Sequence, residues 1–172
     1  MFVTLSKIKF NSLSDADLCW ACIEPSILAY KQSKGIDFTE SHYRNLSKGQ
    51  QALFMYTVYF KHALSSKEEF YWWTVHLLIF RNAWTELKKA LQFFNDQAMI
   101  HQLEQFISHI QSWDIEGENP SLSLLKKDLV LQSMVVSSFN AAQKLSQQTT
   151  SSISNYIRHH VSEFIQLKNE ID

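Results

Sequence analysis

Residues 52–80 read ALFMYTVYFKHALSSKEEFYWWTVHLLIF, two apolar runs parted by a short polar break at Ser65-Ser66-Lys67-Glu68-Glu69. These 29 positions hold nine of the chain's 23 aromatic residues, so the core of the fold is expected here. Neither run contains glycine or proline, and Ser66 followed three residues later by Glu69 has the form of a capping box. The stretch therefore predicts a helical hairpin at the centre of the molecule. At 100° per residue, Gln50, Gln51, Thr57, Lys61, His62 and Ser65 share a polar arc on the first helix, interrupted by Phe54 and Val58 one turn apart. The second helix has almost no polar face, which predicts that it lies inside a bundle with Trp72 and Trp73 buried.

Working outward, the whole chain of 172 residues holds only three Gly and two Pro. Sheets need turns, and turns need those residues, so the composition favours helices. The expected fold is all-α: a single-domain helical bundle over 1–172 of about six to eight helices, ending in a long C-terminal helical segment at 119–172. Such a chain can bury roughly 70% of its unfolded surface and needs no metal or disulfide to hold it.

Toward the N-terminus, residues 2–10 alternate weakly, as a short extended arm does. Ser14, with Asp15 and Asp17 behind it, is a helix start. Glu24-Pro25 predicts a kink or stop, with a second helix beginning at Pro25 and ending at Gly35. Thr39 is a cap for a further segment through Tyr43. Toward the C-terminus, Asn82 is read as the cap of a helix striped by Ala83, Trp84, Leu87, Ala90, Leu91 and Phe94. Asn95-Asp96 breaks and recaps, and Met99, Ile100, Leu103, Phe106, Ile107, Ile110 and Trp113 form the next stripe. The acidic run at 114–120, with Gly117 and Pro120, is the clearest loop.

Beyond Ser121 the pattern fits one very long helix or two. Ten of the thirteen residues from 143 to 155 are Ser, Thr, Gln or Asn, which weaken a helix without breaking it. Ile153, Ile157, Val161, Phe164, Leu167 and Ile171 then restore helical spacing. This last stripe is a candidate for packing across a homodimer.

A formal charge of −1 gives no electrostatic case for nucleic acid. No continuous apolar stretch approaches the roughly 20 residues of a membrane span, and the N-terminus has no signal-peptide core. The expectation is a cytoplasmic protein with reduced thiols. Cys19 and Cys22 form a C-x-x-C inside a helical stretch, on one stripe with Leu18 and Ile23; buried core cysteines are the expected role. No Glu-x-x-His pair, P-loop, Rossmann fingerprint or hydrolase elbow occurs, and no metal or cofactor is expected. Among the seven histidines, His101 and His109 lie opposite their apolar stripe, His159 sits at a polar edge, and His160 falls among apolar neighbours as a core histidine.

His62, Glu69, Trp73 and His76 form the candidate pocket. An antiparallel hairpin sets His62 level with Glu69. Glu69 and His76, seven residues apart on one stripe, stand about 10.5 Å apart along the axis, too far for one hydrogen bond. They would line two ends of a pocket walled by Trp72 and Trp73; the plainer assignment is an ion pair and a hydrogen-bonded core histidine. Phe54 and Val58 form the candidate contact surface. With no catalytic signature, the function read from sequence is that of a non-catalytic helical protein acting through protein–protein contact: a regulator, an adaptor, an immunity-type binder or a self-associating subunit. The alternative is a small-molecule- or metal-binding bundle, with enzyme activity at that pocket.

Overall fold

The computed structural model describes residues 3–33, 42–112 and 122–168. Gly35, Thr39, Trp113, the loop at 114–120 and Ile171 lie outside them. In chain order the elements are β1 (Val3–Ser6), α1 (Lys7–Ser12), α2 (Asp15–Gln32), a 3-10 turn (Tyr43–Asn45), α3 (Lys48–Ala63), α4 (Lys67–Trp73) and a π-helical segment (Thr74–Phe80). They continue with α5 (Trp84–Phe93), α6 (Gln97–Ser112), α7 (Leu122–Lys127), α8 (Leu129–His159), α9 (Val161–Phe164) and β2 (Ile165–Lys168). The fold is all-α, with nine α-helices and one two-stranded sheet among the described residues. By contacts the chain divides into two compact units, Met1–Met55 with Gln148–Asp172, and Tyr56–Gln147. Helices α3 and α8 contribute residues to both.

In the first unit, β1 and β2 pair in parallel, with Val3 opposite Ile165 and Leu5 opposite Leu167. Ser6 and Ser14 cap α1 and α2, accepting from the backbone N–H groups of Lys9 and Asp17. Helix α2 then continues through Pro25, where the sequence predicted a kink or a stop and a second helix; the stop does not occur. Proline inside a helix costs about 3 kcal/mol. Burial of Cys22, Ile23 and Ile27 around it offsets that, at roughly 1.5–3 kcal/mol for each large apolar side chain. Both thiols are free and buried, and burial pushes each of them from 9 up to about 12.

The polar stretch at 143–155 stays helical within α8, and Ile153, Ile157 and Phe164 are fully buried by the chain itself. Their burial needs no second copy. The predicted helical stripe to Ile171 does not continue: His160, at φ −124° and ψ 44°, leaves the helix, and Ile165 to Lys168 form β2 instead. The main-chain groups of this stretch pair with β1, which helical periodicity does not anticipate. His160 is correspondingly exposed, stacked on Tyr156 at 4.0 Å, and not a core histidine.

In the second unit, α3 and α4 form the predicted hairpin. Tyr59 and Thr74 are fully buried: Thr74 Oγ1 donates to the Phe70 carbonyl, so the Tyr59 hydroxyl donates to Thr74 Oγ1 at 2.7 Å. Phe70 stacks on Phe106 at 4.9 Å and meets Phe139 edge-on. The stripes of α5 and α6 are buried from Leu87 to Phe94 and from Met99 to Ile110, while Ala83 and Trp84, read as part of the first stripe, are half-buried. Between them Asn95 adopts φ 58°, and the Asn95 and Asp96 N–H groups bond to the Gln92 and Leu91 carbonyls in a Schellman motif. Asp96 then caps α6 through the Met99 N–H. Asn82 also takes a left-handed φ of 52°, which places it as the end of the preceding helix; Ala83 holds the start of α5.

Candidate functional site

The second half of the hairpin departs most from expectation. Ser66 caps α4 as predicted, accepting from the Glu69 N–H at 3.1 Å. Phe70, Tyr71, Thr74, Val75 and Leu78 are buried and form one stripe. The opposite stripe is aromatic and faces solvent: Trp72 is 38% exposed, Phe80 is 53% exposed, and Trp73 and His76 are half-buried. The prediction that Trp72 and Trp73 are largely buried is therefore corrected. A helix without charges looks apolar all round, but only one of its faces meets the core.

Within that outer face the rings order one another. His62, exposed near the end of α3, stacks flat on Trp73 at 4.6 Å with 12° between the planes. Trp73 meets Trp72 edge-on at 5.4 Å, and Trp72 carries His76 stacked at 4.5 Å. The indole N–H of Trp73 donates to Glu69 Oε2 at 2.9 Å. Glu69 thus spends its carboxylate on Trp73, not on closing the capping box toward Ser66. The result is a continuous ladder, His62–Trp73–Trp72–His76, with Phe80 one turn farther on.

His76 and Phe80 belong to the π-helical segment. The Arg81 N–H bonds to the His76 carbonyl at 3.0 Å, the five-residue spacing of that helix. Such wider turns are rare and recur at functional sites. Of the four predicted pocket residues, the structure joins His62 to Trp73 and Trp73 to Glu69. His76 joins through Trp72, which the sequence reading placed only as a wall. Together they make a surface ladder. Phe54 is buried, with Tyr30 and Tyr43 edge-on at 5.8 and 5.6 Å, and Val58 is half-buried. The exposed apolar surface on this hairpin is therefore at Trp72 and Phe80.

A dense polar cluster lies in the first unit and was not singled out from sequence. Ser47-Lys48-Gly49-Gln50 forms a complete capping box: Ser47 Oγ accepts from the Gln50 N–H and Gln50 Oε1 from the Ser47 N–H, both at 3.1 Å. Glu163 adds its carboxylate to this helix start. Its Oε1 accepts from the Ser47 hydroxyl and the Gly49 N–H, and its Oε2 from the Tyr156 hydroxyl at 2.8 Å. Burial, followed by the Glu163 carboxylate, pushes Tyr156 up to about 12. Every donor is spent on holding the C-terminal turn to the start of α3, an anion placed where the helix dipole favours it. The S-x-x-Q spacing was the signal for the cap; Glu163, 116 residues from Ser47, had none.

Among the described residues, no three His, Cys, Asp or Glu side chains converge as a metal site would need, and no helix is long and apolar enough to cross a membrane. Comparison with protein-family models, curated proteins and solved structures finds no match to this chain.

Proposed function

We propose that this is a non-catalytic helical protein that works through protein–protein contact, as a regulator, adaptor or immunity-type binder or by self-association. The observation that carries the reading is the solvent-facing aromatic ladder. Its rings already stack on one another within the chain itself, His62 on Trp73 and Trp72 on His76. Tryptophan and other aromatics are enriched at the energetic centres of interfaces, because they bury large area with few rotatable bonds. A preordered set loses little entropy on binding. The charged residues Lys61, Glu69 and Arg81, all exposed, border the face in sequence, as the polar rim of an interface does.

The test uses full-length protein and a Trp72→Ser, Phe80→Ser double variant in light scattering across a concentration series. The reading expects association of the native chain, lost in a variant whose circular dichroism is unchanged. A native chain that stays monomeric at high concentration removes self-association and leaves only a different protein as partner. Association that survives in the double variant contradicts this face as the contact.

A further inference from the structure

We infer that the second unit carries a binding site for a small amphiphilic carboxylate, independent of the contact face. A cavity of about 320 Å³ opens between the start of α4, helix α7 and the first turns of α8. That volume falls at the lower end of the range typical of small-molecule sites, roughly 300–1,000 Å³. Its apolar lining has a buried part and an open one. Val135 is 0% and Leu125 5% exposed, whereas Leu122 is 40% exposed.

Among the described residues, the polar lining is biased toward cations. Lys67 and Lys126 stand against one carboxylate, Glu68, in a chain whose net charge is −1. Lys67 and Glu68 are only loosely paired, at 3.9 Å and with both side chains about half exposed. The Lys126 ammonium makes no ion pair among the described residues. The Gln132 amide donates to the Lys126 carbonyl at 3.1 Å, tying the backbone of this lysine to α8. Buried apolar side chains with two ammonium groups beside them suit one ligand chemistry, an alkyl or aryl body with a carboxylate head. An ammonium head would meet like charge, and a neutral alcohol would leave the lysines unused.

Octanoate, octanol and octylammonium serve as probes in titration calorimetry with the full chain. The site predicts saturable one-to-one binding of octanoate, at least tenfold tighter than octanol, with octylammonium weakest. Lys126→Glu should weaken octanoate tenfold or more. Leu122→Trp, which fills the space from an exposed position and so spares the core, should do the same with an unchanged melting temperature. Trp72→Ser should leave binding as it was, which separates this site from the aromatic face. Equal affinity for all three probes, no saturable binding of octanoate, or binding indifferent to both cavity variants overturns the inference.

Discussion

At the scale of single residues, Gly49 shows why local propensity is a poor guide here. It is the second residue of α3, where alanine would normally stabilise by about 1 kcal/mol. A Cβ at this position would meet Glu163 Oε1 at 2.6 Å and Phe164 Cζ at 2.9 Å. That carboxylate cannot swing away without abandoning Ser47, the Gly49 N–H and Tyr156. Gly49→Ala should therefore destabilise by about 1–3 kcal/mol in urea titration, the usual cost of overpacking. A gain in stability would show that Glu163 does not sit on this helix start.

At the scale of elements, the hairpin at 52–80 and the stripes of α5 and α6 were legible because hydrophobic spacing reports local periodicity. Three features were not. Helix α2 passes Pro25 because the core around Cys22, Ile23 and Ile27 overrides the local penalty. The strand at Ile165–Lys168 depends on β1, more than 150 residues away in sequence. The outward turn of Trp72 and Phe80 was hidden because aromatic residues on a solvent face look like core in a one-dimensional pattern. Yet the spacing of Trp72, His76 and Phe80, one turn apart each, held the signal. The two faces should separate cleanly in denaturant titration. Phe70→Ala should cost about 3–5 kcal/mol, as for a buried aromatic. Trp72→Ala should cost clearly less, since over a third of this residue stays in water. Equal losses would mean that Trp72 is a core residue after all.

At the scale of the whole molecule, buried thiols and phenols set a limit at alkaline pH. Burial raises Cys19 and Cys22 from 9 to about 12 and Tyr71 from 10 to about 12, and partial burial together with the Glu163 carboxylate raises Tyr156 from 10 to about 12. The folded protein therefore keeps protons that the unfolded chain has already released. Between about pH 8 and pH 12 the unfolded state binds fewer protons, so stability falls as pH rises, and these groups leave it unchanged only at lower pH. Melting temperatures from pH 8 to 11 should decline, and a Cys19→Ala, Cys22→Ala variant should decline less steeply. A melting temperature level across that range would contradict the burial of these groups.

The claim on which the functional account turns is that the face of Trp72 and Phe80 meets another protein. Site-specific photo-cross-linking tests it most directly, with a photoreactive amino acid in place of Trp72 and, as a control, in place of the exposed His101. Irradiation of living cells expressing the full chain should give one discrete cross-linked species from position 72 and none from position 101. Its mass identifies the occupant as a second copy or as another protein. Equal, diffuse cross-linking from both positions, or none from position 72, would contradict the account.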